Sequence, residues 1–109
     1  MKRYCLALDL VDDEALIAEY DNWHRRVWPE VLRSLKESGI EKMEIYRVSN
    51  RLFMIIEAND HFSLARKKEL DAANPMVQEW EKMMWQYQQS LPGTLPGEKW
   101  RLMDKVFEL

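Results

Sequence analysis

The sequence predicts a single α+β domain in which strands and helices alternate along the chain. Alternating apolar residues near the N-terminus indicate a strand, apolar residues at helical spacing follow it, and two apolar runs joined by a short polar connection indicate a β-hairpin. The length of 109 residues suits one domain, and 47% hydrophobic residues with only 3 Gly and 4 Pro indicate a folded chain. We therefore expect one domain over residues 1–109.

The first strand covers residues 3–10, where every second side chain is large and apolar. That period of two predicts a strand with one strongly buried face. A long helical stretch follows from Glu14 to Ser38, with Gly39 as a plausible C-cap. Pro29 interrupts this stretch, and because proline removes a backbone donor we expect the helix to kink or restart near Trp28 and Pro29.

The second half of the chain predicts a hairpin, two helices and a closing strand. Their expected ranges are strands at Met43–Val48 and Leu52–Asn59, a helix from about His61 to Ala73 capped by Asp60, a helix opened by Asn74 and Pro75 and running to about Gln89, and a strand over Trp100–Leu109. The order is therefore β-α-β-β-α-β, the split βαβ arrangement of ferredoxin-like domains.

The sheet of such a domain has one face covered by helices and a second face that needs cover. Tyr46 and other large side chains fall on this second face of the hairpin strands. A second copy that places its own sheet against this face would bury it, so we expect a homodimer with two-fold symmetry.

Charge and cysteine content narrow the class of protein. A net charge of −3 and a pI of about 5.4 make nucleic acids and acidic membrane surfaces poor partners. The chain has one cysteine, Cys5, and no long apolar segment. A cytoplasmic protein with no membrane span and no disulfide is the expectation.

Metal and nucleotide sites find little support in the sequence. The two histidines, His24 and His61, are far apart, and neither lies in a compact ligand motif with Cys, Asp or Glu. No glycine-rich phosphate loop is present. We expect no metal site and no nucleotide cofactor.

One pair of residues can carry chemistry. Tyr20 and His24 are four residues apart in the predicted helix, so both side chains can address the same small volume. Histidine titrates near neutral pH and suits proton transfer, and a phenol beside it can bind hydroxyl groups or orient the imidazole. The alternative interpretation is structural, with both residues half-buried between helix and sheet.

Three segments of the chain resemble the L-rhamnose mutarotase family. They are Glu19-Tyr20-x-x-x-His24-x-x-x-Trp28-Pro29-Glu30, then Ile45-Tyr46, then Val77-Gln78-Glu79-Trp80. The resemblance covers nearly the whole chain. It implies a dimeric α/β barrel that interconverts the α and β anomers of a deoxy-sugar without a cofactor. It also implies that His24 donates a proton and that Tyr20, Tyr46 and Trp80 bind the sugar.

One position departs from the family pattern. The family commonly has two adjacent tryptophans where this chain has Trp80-Glu81. A carboxylate accepts hydrogen bonds and does not stack, so Glu81 is expected to bind the substrate or to take part in acid–base chemistry. The departure suggests L-fucose or another 6-deoxy sugar as an alternative to L-rhamnose, and Trp85, one turn on, could restore some apolar surface.

Two other functions fit the same architecture. Small dimeric α/β-barrel monooxygenases, some of which bind haem, share the predicted fold, and His24 would then be an axial ligand. A dimeric module that binds a sugar without catalysis is the third interpretation.

Overall fold

The computed structural model describes residues 1–109 and contains four helices and five strands. The elements are, in chain order, β1 (Lys2–Leu10), α1 (Glu14–Trp23), α2 (Pro29–Glu37), β2 (Ile40–Val48), β3 (Arg51–Ala58), α3 (Leu64–Ala72), α4 (Pro75–Met84), β4 (Gln88–Gln89) and β5 (Arg101–Leu102). None of the four helices is both long and apolar enough to cross a bilayer.

The strands form one open antiparallel sheet in the order β2-β3-β1-β4, with β5 also paired to β1. Leu8 of β1 lies opposite Leu52 of β3, and Leu6 lies opposite Met54, so the apolar residues of the two central strands share the face that packs against the helices. This arrangement confirms the predicted α+β ferredoxin-like fold, and the sheet does not close on itself.

The first helical stretch is two helices, as the proline predicted. Asp13 caps α1, because its Oδ1 accepts a hydrogen bond from the Leu16 backbone N–H at 3.0 Å. His24 is the C-cap of α1, and the chain turns before Pro29 begins α2 at its first position. Gly39 follows α2 with φ +104°, a conformation that favours glycine and confirms the predicted C-terminal stop.

The predicted starts and ends of the later helices need correction. Ser63, not Asp60, caps α3, since its hydroxyl accepts from the Arg66 backbone N–H at 3.0 Å. The predicted helix through Gln89 is wrong at its end, because α4 stops at Met84 and Gln88–Gln89 pairs with β1. Strand pairing at the sheet edge overrides the weak helical preference of this polar segment.

The predicted closing strand is also shorter than expected. Pairing with β1 covers only Arg101–Leu102, and beyond it the Met103 backbone N–H still donates to the Cys5 carbonyl oxygen at 2.8 Å. β4 and β5 together occupy the edge position of the fourth ferredoxin-like strand. A loop with two Pro and two Gly separates them, and proline cannot supply the ladder hydrogen bonds of a continuous strand.

The second face of the sheet has no helix over it. Register pairs Tyr46 with Phe53 and Cys5 with Ile55 on this face, which we call the open face. Val48 and Tyr46 on β2 are exposed there. The open face is therefore a partly apolar surface at the centre of the sheet.

Candidate active site

A cavity of about 510 Å³ lies between the helices and the covered face of the sheet. This volume falls in the range of small-molecule sites, and most of the lining is apolar. The polar and aromatic part of the lining includes Tyr20, His24, Trp80, Glu81, Gln88 and Lys99.

Tyr20 and His24 meet at the C-terminal end of α1, as their spacing predicted. Their rings pack with centroids 4.2 Å apart and planes inclined by 36°. The Tyr20 carbonyl oxygen lies 2.9 Å from Nδ1 of His24 and 3.3 Å from its backbone nitrogen. A carbonyl oxygen has two lone pairs and can accept both bonds, and the side-chain bond holds the imidazole in place.

This hydrogen bond determines which nitrogen of His24 can act. A carbonyl oxygen only accepts, so Nδ1 carries the proton and Nε2 is the nitrogen with a lone pair in the neutral ring. Burial lowers the pKa of His24 from its usual value, outweighing the opposing effects of the Tyr20 carbonyl and Asp21. The neutral imidazole therefore predominates at neutral pH, with Nε2 as a proton acceptor.

The Tyr20 phenol is only 3% exposed and lines the cavity. Burial raises the pKa of Tyr20 above its usual range, and the nearby Gln88 side chain opposes this shift only partly. The phenol therefore remains protonated and can donate a hydrogen bond to an oxygen in the cavity.

Trp80 forms an aromatic wall beside the imidazole. Asn74 opens α4 by accepting from the Val77 backbone N–H, and this helix holds Trp80 with only 8% of its surface exposed. The Trp80 ring meets His24 and Trp28 edge-to-face, at centroid distances of 5.7 and 5.2 Å. These contacts fix an apolar surface of the kind that stacks on a sugar ring.

Glu81 also lines the cavity, one residue after Trp80. Lys99 lies close by, and its Nζ donates to the Glu81 backbone oxygen at 3.2 Å. Burial lowers the pKa of Lys99, and the Glu81 carboxylate opposes that shift. Trp85 does not replace the missing tryptophan, because its ring lies 4.9 Å from Lys99 Nζ and is absent from the lining.

The structure does not bring Tyr46, the other predicted sugar-binding tyrosine, to this cavity. Its side chain is 53% exposed on the open face, and its hydroxyl donates to Glu44 at 2.9 Å. Met43 and Ile45 take the cavity side of β2, since neighbouring residues of a strand point to opposite faces. The sequence alternation of this strand already separated Tyr46 from the helical side.

Several lining residues had no sequence signal that pointed to a site. Gln88 was expected in a helix and Trp100 at the start of a strand, and Lys99 lies just before that predicted strand. Lys67 and Asp71 also line the cavity, paired at 2.6 Å across one turn of α3. Their placement depends on tertiary packing that spacing alone cannot reveal.

The fold and the cavity define a small α+β protein of the ferredoxin-like class with a pocket of small-molecule size, and comparison with known proteins identifies the family. The L-rhamnose mutarotase family model matches residues 3–109. The chain belongs to this sugar mutarotase family.

Two named relatives are similar to the chain to different degrees. An L-fucose mutarotase of Xanthomonas campestris pv. campestris is 48% identical over 111 residues, which cover 100% of this chain and 89% of the relative. An L-rhamnose mutarotase of Enterococcus faecalis is 33% identical, covering 84% of this chain and 85% of the relative.

Solved structures agree on the fold. The crystal structure of an L-rhamnose mutarotase from Formosa agariphila superposes with a TM-score of 0.72 at 22% identity, covering 100% of this chain and 99% of that one. The tetracenomycin F2 cyclase of Streptomyces glaucescens reaches a TM-score of 0.62 at 16% identity, covering 100% of this chain and 99% of that one. At such low identities the likeness concerns the fold alone.

Proposed function

We propose that this chain is an L-fucose mutarotase that interconverts the α and β anomers by acid–base catalysis with its own side chains. The observation that carries the proposal is the His24 imidazole, whose Nδ1 is held by the Tyr20 carbonyl while Nε2 remains for the cavity. An enzyme that opens and closes a pyranose ring needs a positioned group of this kind, able to accept and return a proton near neutral pH.

The reaction moves one proton between two oxygens of the sugar. Nε2 of His24 takes the proton of the anomeric hydroxyl O1, the bond between C1 and the ring oxygen O5 breaks, and O5 receives the proton. The product is the open aldehyde, which rotates about the C1–C2 bond and closes on its other face. Because O1 and O5 are bonded to the same carbon, one imidazole can serve both, as acceptor first and as donor second.

The other groups of the cavity position the sugar. The protonated Tyr20 phenol donates to a sugar oxygen, and the Trp80 ring stacks on the apolar face of the pyranose. The cavity holds the sugar in a reactive orientation, which lowers the entropic part of the barrier. Neither role requires a metal ion or an organic cofactor.

The choice of L-fucose rests on identity and on one lining residue. Identity to the L-fucose mutarotase relative is 48%, against 33% to the L-rhamnose mutarotase of Enterococcus faecalis. Glu81 places a hydrogen-bond acceptor beside Trp80 where the family commonly has a second tryptophan, and L-fucose and L-rhamnose differ in the orientation of their ring hydroxyls. We assign Glu81 to hydroxyl binding, with Lys99 nearby balancing its charge.

We further propose that the protein is a cytoplasmic homodimer joined through the open face. Tyr46, Phe53 and Ile55 provide an apolar centre there, and a second sheet packed on it would remove this surface from water.

Saturation-transfer NMR on L-fucose and L-rhamnose side by side tests the function. The signal of one anomer is saturated and the loss of intensity of the other gives the exchange rate, with buffer alone as the blank. We expect protein-dependent exchange with both sugars, and a kcat/KM for L-fucose at least roughly tenfold higher than that for L-rhamnose. A difference of this size is expected when one sugar cannot present its hydroxyls to the hydrogen-bonding groups of the site. Exchange equal to the blank for both sugars would exclude mutarotase activity. A preference for L-rhamnose would exclude L-fucose as the preferred substrate.

A further inference from the structure

Gln88 carries a buried hydrogen-bond acceptor with no partner. The side-chain oxygen Oε1 is the one buried side-chain polar atom of the chain without a hydrogen bond, and the residue is only 7% exposed. Leaving such a group unpaired incurs the full desolvation penalty of the group, so buried polar groups are nearly always hydrogen-bonded. An exception at the wall of a ligand cavity indicates an atom whose partner arrives with the ligand.

The backbone fixes the direction of this side chain. Gln88 lies opposite Leu10 in the pairing of β4 with β1, and Leu10 points into the core beneath the helices. Paired residues of antiparallel strands point to the same face, so Gln88 also points to the helical side, where it lines the cavity. The next residue, Gln89, is exposed.

The neighbours of Gln88 belong to the proposed site. The Tyr20 phenol and the His24 imidazole line the same cavity, and the Gln88 amide is close enough to Tyr20 to influence its pKa. A carbonyl-type oxygen in this position accepts a hydrogen bond from a hydroxyl group and has nothing to offer a methyl group or an ether oxygen. A sugar hydroxyl is the matching chemistry.

We propose that Gln88 is a specificity-determining residue, whose Oε1 accepts a hydrogen bond from one of the two ring hydroxyls, at C2 or C4, that distinguish L-fucose from L-rhamnose. The inference rests on the proposed function, and it deepens that function by naming a residue that selects the sugar. L-Fucose and L-rhamnose are both 6-deoxy-L-hexoses and have opposite configurations at these two carbons. A site that hydrogen-bonds a hydroxyl discriminates strongly against a sugar that cannot present it.

The test replaces Gln88 by methionine, which keeps the length of the side chain and removes the acceptor. Trp80 and Trp100 line the cavity, so quenching or enhancement of tryptophan fluorescence on titration with each sugar gives its Kd without any need for catalysis. We expect Gln88→Met to raise the Kd of L-fucose by roughly 5- to 100-fold. The Kd of L-rhamnose should change by less than roughly threefold, because this sugar does not make the hydrogen bond that the substitution removes.

A purely structural role for Gln88 predicts a different pattern. Replacing an unsatisfied buried polar group by an apolar one of similar shape is neutral or stabilising, so we expect the melting temperature of Gln88→Met to equal or exceed that of the wild type. The control is Gln89→Met, the same substitution on the neighbouring exposed residue, which should leave both Kd values and the melting temperature unchanged.

Deoxy analogues identify the hydroxyl. The wild type should bind one of 2-deoxy- and 4-deoxy-L-fucose much more weakly than L-fucose, and Gln88→Met should bind that analogue and L-fucose about equally, because the contact is already lost. An unchanged Kd for L-fucose in Gln88→Met, or equal losses for both sugars together with a lower melting temperature, overturns the inference. Tight binding of L-fucose without anomer exchange in the wild type would contradict the proposed mutarotase activity, but not the proposed role of Gln88 in binding the sugar.

Discussion

The carbonyl oxygen of Tyr20 accepts two hydrogen bonds from His24, one from the backbone nitrogen at 3.3 Å and one from Nδ1 at 2.9 Å. The pair forms where α1 ends, four residues apart, and it ties the orientation of the imidazole to the backbone of the helix. The same contact leaves Nε2 as the only ring nitrogen for proton exchange. The proposed chemistry depends on this arrangement.

The pH dependence of anomer exchange should report the state of His24. The neutral ring is the form with a lone pair on Nε2, and burial lowers the pKa below the ordinary value of 6.5. We expect kcat/KM to be level near neutral pH and to fall only as the pH drops through a midpoint below 6.5. NMR exchange rates corrected for spontaneous exchange at each pH measure this, and a midpoint at or above 6.5 would contradict the assignment.

Tyr20→Phe should distinguish the contribution of the Tyr20 hydroxyl from that of its aromatic ring. The phenylalanine ring keeps the packing on His24 and removes the hydroxyl that we assign to the sugar. A lost hydrogen bond of this kind corresponds to roughly a 5- to 100-fold fall in kcat/KM. The matched control is Tyr46→Phe, since the Tyr46 hydroxyl contacts Glu44 on the open face. If Tyr46→Phe lowers kcat/KM as much as Tyr20→Phe does, the assigned site is wrong.

Glu81→Gln should distinguish binding from catalysis at that position. The amide keeps the size of the side chain and one acceptor oxygen, but loses the charge. We expect KM for L-fucose to rise by roughly 3- to 30-fold with kcat within about threefold of the wild type, the signature of lost ground-state binding. A fall in kcat by about two orders of magnitude with unchanged KM would instead make Glu81 an acid–base group.

The open face should hold the dimer together. Light scattering after gel filtration should give about twice the chain mass of 13.2 kDa for the wild type. Ile55→Glu places a charge at the centre of the open face and should yield the single-chain mass, because burying an unpaired carboxylate is strongly unfavourable. Leu70→Glu, the same change on the exposed surface of α3, is the control and should stay dimeric. A wild-type protein with the mass of one chain would contradict the proposed interface.

Local sequence patterns were enough to predict most elements and the contact between Tyr20 and His24. The spacing of Tyr20 and His24 is a property of one helix, and Pro29 marks the break that places His24 at its end. The alternation in β1 and β3 identified the buried face, because side-chain direction in a strand follows from the backbone alone. These features need no knowledge of the rest of the chain.

The remaining features depend on contacts between distant parts of the chain. Gln88 lies in β4 because this segment pairs with the edge of β1, and the sequence around Gln88 does not predict that pairing. Tyr46 was assigned to the sugar by motif resemblance, although its own strand pattern placed it on the other face. Lys99 reaches the cavity from a loop whose path is set by tertiary packing. The residues of the motif that lie on helices therefore line the cavity, and its strand-borne tyrosine lies on the opposite face of the sheet.

The most direct test of the account replaces His24 by asparagine and measures anomer exchange of L-fucose by saturation-transfer NMR. Asparagine keeps a short amide N–H donor that can still reach the Tyr20 carbonyl, so the fold and the melting temperature should be retained, and no titrating nitrogen faces the cavity. The other histidine provides the matched control as His61→Asn. The account predicts a loss of about 10²- to 10⁴-fold in kcat for His24→Asn and none for His61→Asn. A folded His24→Asn protein that exchanges the anomers at the wild-type rate would contradict it.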